Sequence, residues 1–447
     1  MADETRTLAD FAVSLKREDI PEDVLLRAKY CFIDTVAACT YGARLPWSKV
    51  IAAYARGASS NASSRIIGSP GPAVGAAAAA LANGTSAHAF ELDTLRRPGA
   101  GVHPGAVLAT AALALAQERK LGGAAVLTSV VAACEVMFRI GSASRHSSEK
   151  LGFHAPGLTG PFGSSVVAGR LLGLNHDQMT NAFGIAGSLS SGLLEFAKSG
   201  TGGMVKRLHL GRAAENGIVA ATIARDGFTG PATVLEGKYG FLQVFCADRA
   251  PERLTAGLGE TWETRNICFK RYPCHITAHI PIEAALGLRA EAGFALDDLA
   301  GIHIRGSGKM AQLHNILKPQ DLIMAQYSVP WCVAAALVSD PQMPETFSDR
   351  AFQSRTIMDL CGTIVLDDSA PKEMSDWGCI MVITLRDGRR LELRLDDFPG
   401  TPTRPMTESE LRGKFLALTD ELPNAREQFD RLMQLEAETD LGWIGAA

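Results

Sequence analysis

Two stretches gather acid, base and cation inside segments that otherwise read as packed helix: HAFELDTLRRPGAGVHPG, from His88 to Gly105, and CFKRYPCHITAH, from Cys268 to His279. Buried helices seldom keep so many ionisable groups unless chemistry or charge pairing requires them. In the first stretch, a helical reading of ANGTSAHAFELD places His88 and Glu91 one turn apart. Asp93 and Thr94 then fall near the helix end, and the Gly/Pro-rich RRPGAGV carries the chain to His103. Carboxylates and an imidazole converging at a helix mouth suit proton transfer. The plainer alternative pairs Asp93 with Arg96 or Arg97 and leaves His103 to cap a helix starting at Pro104. His, Glu, Asp and His can also ligate zinc or iron, but no second clear ligand set accompanies them, so no metal is expected.

In the second stretch the cation pair Lys270-Arg271 precedes His275 and His279 at helical i, i+4 spacing. Half of an HExxH zinc motif is present, yet Ile276, Thr277 and Ala278 lie between the histidines, so the general-base glutamate is missing. Lys270 and Arg271 read equally as an anion seat or as a solvated charge pair at a helix start. Two further segments add candidates. GFHAPGLTGPFGSS places His154 in a loop rich in Gly and Pro. SGTGGMVKRLHLGRAAENG brings Lys206 through a glycine-rich approach to a helix expected to begin near His209. Backbone amides, a helix N-terminus and a lysine together would seat an anion, whereas the glycines follow no strand and lack nucleotide-fingerprint spacing.

These residues must be positioned by a chain that is helical over most of its length. Pro21–Tyr41, Pro104–Lys120, Gly122–Gly141 and His209–Arg225 carry Leu, Val, Ile and Ala at spacings of three and four, with Gly42 where the first should stop. From about Leu299 the texture turns to strand: GIHIRG, GTIVLDD, and two alternating runs in IMVITLRDGRRLELRLDDF joined at Asp387-Gly388. An Asp-Gly step between alternating runs predicts a tight hairpin with positive φ at both central residues, and so an antiparallel sheet. After Pro405, MTESELRGKFLALTDEL returns to helix, with Thr407 and Glu410 as a capping box. The expected organisation is mostly α with a smaller α+β domain. A large helical domain, discontinuous over 1–267 and 403–447, would carry an α+β lid domain over 268–402.

Composition narrows the function. The chain of 447 residues has 47% hydrophobic side chains and 44 Lys plus Arg against 48 Asp plus Glu, for a net charge of −4. No basic stripe awaits phosphates, so nucleic acid is not expected as a partner. The acidic, amphipathic start MADETRTLADFAVSLKREDIPEDV does not resemble a secretory signal, which leads to the expectation of a cytoplasmic protein. The apolar run Gly71–Asn83 is too short and Ala-rich to span a bilayer, so no membrane partner is expected. Nine cysteines at irregular spacing read as reduced, packed thiols rather than cluster ligands.

ELDTLRRPGAGVHPGAVLATAALALA, GFHAPG, KRLHLGRAAENG, and above all NICFKRYPCHITAHIPIEAAL followed by AQYSVPWCVA resemble the MmgE/PrpD family, in matching order along nearly the whole chain. That family contains 2-methylcitrate dehydratase, cis-aconitate decarboxylase and iminodisuccinate epimerase. The resemblance implies a helical domain with an α+β lid, a homodimer, and action on a small polycarboxylate without metal or organic cofactor. Carried over by position, it implies a site of Glu91, Asp93, Thr94, His103, His154, Lys206, Lys270, His275 and Tyr327. Many relatives read LDD where this chain has Leu92-Asp93-Thr94.

The chemistry agrees. Removing a proton α to a carboxylate creates an aci-carboxylate dianion, which cations and amide dipoles must neutralise while a positioned base takes the proton. His103 and His275 are the acid/base candidates, and Asp93 is orienter or base. His154 and Tyr327 are positioners or proton donors, and Lys206, Lys270, Arg271, Glu91 and Thr94 are substrate binders. Departure of a hydroxyl gives dehydration, reprotonation gives epimerisation, and loss of carbon dioxide gives decarboxylation. A dehydratase is the first expectation. A non-catalytic polycarboxylate binder is the other class, and the histidines at matching positions argue against it.

Overall fold

Alanine-rich runs with leucine, valine and isoleucine at helical spacing build the first unit, Met1–Phe269 with Leu411–Ala447. The computed structural model describes residues 3–58, 62–99, 101–197 and 203–446. The main helices of this unit are α1 (Glu4–Ser14), α2 (Glu22–Gly42), α3 (Pro46–Gly57), α4 (Ala76–Ala87), α5 (Thr110–Arg119), α6 (Gly123–Ala143), α7 (Ala155–Leu172), α8 (His176–Ser188) and α9 (Val205–Arg225). The second unit, Lys270–Glu410, combines helices with a four-stranded sheet, so the chain is mostly α with a smaller α+β part.

α6 runs through the helical core, buried on all sides from Val130 to Ile140. It is the one helix among the described residues long and apolar enough to cross a membrane, but 89% of its apolar window is buried within the fold. It also carries the Glu135–Arg139 ion pair at 2.7 Å, whose carboxylate receives the backbone amides of Glu263 and Thr264. A core helix accounts for it. The nine cysteines are all buried and unbridged, and burial pushes the Cys31 thiol up to about 12, as expected of packing thiols.

Close approach of α4 and α9 brings the two chemical ends of the unit together. A Cβ on Gly211 would lie 2.3 Å from the Leu81 carbonyl oxygen, and one on Gly84 would lie 2.9 Å from the Gly211 Cα. Only glycine lets these backbones meet. The chain leaving α4 at His88 is thereby set against the start of α9, which carries Lys206.

The second unit holds β3 (Leu299–Arg305), β4 (Ile364–Asp367), β5 (Cys379–Leu385) and β6 (Arg390–Leu395) in the order β4-β3-β5-β6, after β1 (Leu95–Arg96) and β2 (Ile267–Cys268), which pair antiparallel within the first unit. The sheet is mixed rather than wholly antiparallel, because β3 and β4 run parallel. Central β5 is buried along nearly its whole length, as a strand covered on both faces must be, and the helix His279–Ala292 packs on β5 and β6. The hairpin forms at Asp387-Gly388, but only Gly388 takes positive φ, at 90°. Gly388 N–H donates to the Leu385 carbonyl and Leu385 N–H to the Arg389 carbonyl, so the connection has three residues with a glycine bulge. The capping box is formed as expected: Glu410 N–H donates to Thr407 Oγ1 at 3.2 Å, and Thr407 N–H to Glu410 Oε2 at 2.9 Å.

Candidate active site

The segment after α4 does not continue as helix. α4 ends at Ala87, and at Glu91 the backbone turns into the left-handed region with φ 58°, so His88 and Glu91 do not share a helical face. A non-glycine residue there costs about 1 kcal/mol, and such strain collects at functional sites. Glu91 is held by an ion pair with Lys206, and both side chains are almost fully buried.

The turn delivers Asp93, fully buried, between two imidazoles. Its Oδ1 accepts from His88 Nδ1 at 2.9 Å and its Oδ2 from His103 Nδ1 at 2.8 Å, with the rings edge to face at 5.0 Å. Asp93 therefore pairs with histidines; Arg96 pairs instead with Glu263 at 2.7 Å. Burial alone would raise the Asp93 carboxyl, but the two imidazoles that donate to it, His88 and His103, hold it well below the usual carboxylate range. Burial pushes His88 down to about 4, against the pull of Asp93, so His88 is neutral and donates from Nδ1. Its Nε2 is buried without a partner. The His103 side chain keeps 14% of its surface exposed while that of His88 keeps none, so His103 is the ring with access and its Nε2 is the basic atom.

The ligand-type atoms of His88, Asp93 and His103 lie within 4.8 Å of one another. His88 and His103 are each hydrogen-bonded to Asp93, an arrangement of the kind that fixes an imidazole tautomer.

Thr94 does not face this group. Its Oγ1 accepts from Gly105 N–H at 3.0 Å and contacts Cys31 Sγ at 3.3 Å, so it caps the π-helical turn Gly105–Ala109 that precedes α5. The threonine supplies the cap that the plainer alternative gave to His103. Gly101, at φ 61°, presses the loop onto α7, since a Cβ there would lie 2.3 Å from the Ala155 Cβ.

His154 immediately precedes α7, and its Nδ1 lies 3.0 Å from His209 Nδ1. α9 begins at Val205 rather than near His209, so Lys206 and His209 occupy neighbouring turns of one helix. Residues 198–202, the glycine-rich approach, lie outside the described residues. Burial pushes His154 well down, and the charge of Lys206 adds to it. Lys206 is also pushed down, by burial first and by Arg207, against the pull of Glu91. The helical unit thus brings Glu91, Asp93, His103, His154 and Lys206 into one electrostatic neighbourhood. It adds His88 and His209, which were not among the expected site residues; their only sequence signal was position, five residues before Asp93 and three after Lys206.

A C-terminal residue holds the turn from behind. Lys414 Nζ donates to the Leu92 carbonyl at 2.8 Å and to buried Asp34 at 2.6 Å. Removing one partner of a buried pair costs about 3 kcal/mol. Lys414→Met should therefore lower the melting temperature by several degrees, and Lys414→Met with Asp34→Asn should recover most of the loss in the same thermal unfolding measurement. An unchanged single variant would show that this pair does not hold the turn.

In the second unit, His275 and His279 do not form one helical face. A short 3-10 turn, Ile276–Ala278, separates them, and the helix begins at His279. His279 Nε2 accepts the backbone amides of Arg271 and Tyr272, each at 3.2 Å, and so shapes the KRYP turn. Arg271 lies 3.2 Å from Glu410 and 3.7 Å from Glu283, so two carboxylates of the protein meet its charge. Lys270 is buried. His275 stacks on His314 with centroids 4.3 Å apart and lies 4.8 Å from the Tyr327 ring, while His314 Nδ1 donates to the Tyr327 carbonyl at 3.0 Å. His314 is a further member that the sequence reading did not single out.

Buried imidazoles, a carboxylate and an ammonium gathered on a helical scaffold are the groups from which acid–base sites are built. The MmgE/PrpD N-terminal domain model matches residues 6–254 and the C-terminal domain model residues 272–439, and the chain belongs to the MmgE/PrpD family as an enzyme of that type. It is 30% identical to cis-aconitate decarboxylase of Aspergillus terreus over 98% of this chain and 94% of that one. It is 27% identical to cis-aconitate decarboxylase of Homo sapiens over 92% and 87%. To 2-methylcitrate dehydratase of Cupriavidus necator it is 28% identical over 62% of this chain and 58% of that one.

Proposed function

We propose that the protein is a lyase acting on a small tricarboxylate through a carbanion formed α to a carboxylate. The observation that carries this reading is an imidazole, His103, tethered by a buried aspartate in the same unit as a buried ammonium, Lys206. Asp93 keeps the proton of His103 on Nδ1 and so leaves Nε2 to take or return a proton. Lys206 offsets the charge of the aci-carboxylate as it forms. His275, against the ring of Tyr327, is assigned as the second acid/base group and Lys270 as a further carboxylate binder.

If the substrate bears a β-hydroxyl, protonation of that group releases water and the outcome is dehydration, as in 2-methylcitrate dehydratase. A second reading is decarboxylation: an alkene carbon is protonated and a carboxylate leaves as carbon dioxide. It is supported by the naming of the relatives that match over nearly the whole chain, which are cis-aconitate decarboxylases. Incubation with 2-methylcitrate, citrate, cis-aconitate and iminodisuccinate, read by product mass, separates loss of water from loss of carbon dioxide. His103→Ala and His275→Ala should each reduce turnover about 100-fold or more. Wild-type inertness toward all four acids, or near-normal turnover in both variants, would overturn the assignment.

A further inference from the structure

His209 is used by nothing in the reading above, yet it is fixed with care. Its Nδ1 faces His154 Nδ1 at 3.0 Å, and Phe196 stands edge-on to both rings, with centroids 5.2 Å from His154 and 5.8 Å from His209. Gly192, at φ 130°, makes room: a Cβ there would lie 3.2 Å from His209 Nδ1, and its carbonyl accepts the His154 backbone N–H at 3.0 Å. A hydrogen bond between two like nitrogens requires a proton on one and a lone pair on the other, so the tautomers of the two rings are tied together.

We propose that His209 is the positioning residue of His154, sharing one proton with it across Nδ1···Nδ1 so that His154 exchanges protons with the substrate through Nε2. The proposal rests on the function assigned to this site. In the charged pair, His154 carries protons on both nitrogens and donates from Nδ1 to the His209 Nδ1 lone pair. Delivery of the Nε2 proton to the substrate carbanion leaves His154 neutral, still holding its Nδ1 proton, and His209 unchanged. The groups facing the pair are Lys206 on α9 and, from the turn after α4 and the loop before α5, His88 and His103. Glu91 is engaged by Lys206, and Asp93 by the two imidazoles. Burial and the charge of Lys206 both disfavour protonation of either ring, so a shared proton is what keeps His154 able to act as an acid.

The test compares His209→Phe with His209→Asn in the full-length protein. Phe fills the space but cannot accept from His154. Asn offers Oδ1 in place of the ring nitrogen. His209→Phe should lower kcat by about 10- to 100-fold with little change in KM and move the His154 limb of the pH–rate profile to lower pH, because the imidazolium has lost its acceptor. His209→Asn should restore most of the rate and return the limb. Equal losses in both variants with an unmoved limb would overturn the proposal in favour of a purely structural role.

Ring nitrogen-15 spectra of the substrate-free protein decide the pairing independently of any substrate. They should show a hydrogen-bonded His154 Nδ1 in the wild type, retained with Asn and lost with Phe. Absence of that bond in the wild type would overturn the proposal even if turnover is found. Its presence without turnover of any tested acid would uphold the pairing while the assigned function fails.

Discussion

Asp93→Asn is expected to lower kcat by about three to four orders of magnitude while leaving the fold intact. Asparagine keeps one acceptor, Oδ1, and presents a donor, Nδ2, where the second carboxylate oxygen stood. One of the two histidines must then accept at Nδ1 and move its proton to Nε2. His88 cannot do so without burying an unpaired donor, because its Nε2 is enclosed and has no partner. The change therefore falls on His103, whose side chain retains 14% exposure, and its basic Nε2 is lost. Ring nitrogen-15 spectra should report the exchanged tautomer on His103, with an unchanged melting temperature and a KM within a few-fold of wild type. A kcat within tenfold of wild type would show that Asp93 does not set the His103 tautomer.

The second large effect is expected at Lys206. Lys206→Met removes the buried cation opposite the forming dianion and should lower kcat/KM by about 100- to 1000-fold, the usual cost of a lost oxyanion-stabilising group. It also strands Glu91 as a buried carboxylate, which destabilises the protein by about 3 to 5 kcal/mol. The two effects can be separated. Lys206→Met with Glu91→Gln should recover thermal stability, because no unpaired charge remains, yet stay inactive. Recovery of activity along with stability would reduce Lys206 to a structural ion-pair partner.

Much of the scaffold was legible from local signals. α2 and α6 follow their apolar spacing to within two residues at each end, and the Thr407–Glu410 capping box needs only contacts three residues apart. The hairpin was legible in place but not in type, because Asp387 takes an ordinary turn conformation and leaves the left-handed step to Gly388. The parallel pairing of β3 with β4 was hidden because the two strands are some sixty residues apart and no local signal sets their direction.

In the site, the residue types were legible and their partners were not. A non-glycine residue at positive φ, Glu91, ends any helical geometry for His88, and nothing in ELDT announces it. His154 and His209 meet across 55 residues, and Lys414 reaches Leu92 across 322, distances over which spacing carries no information. Thr94 and Arg271, read as substrate binders, also serve the scaffold, through Gly105 N–H and through Glu410 and Glu283. A polar side chain in a rich motif has several uses, and only its neighbours decide among them.

The central claim is that His103, held by Asp93 and facing the field of Lys206, moves a proton to or from carbon. The most direct measurement is carbon-bound deuterium, followed by NMR and mass spectrometry, in the tricarboxylate turned over in deuterated buffer by wild type and by Asp93→Asn. Loss of carbon dioxide should place one solvent deuteron on the product carbon α to a carboxylate, and loss of water should show a primary isotope effect in a single turnover of substrate deuterated at that carbon, with either reaction nearly abolished in Asp93→Asn. Decarboxylated product with no carbon-bound deuterium, dehydration with no isotope effect at that carbon, or equal turnover by the variant would contradict it.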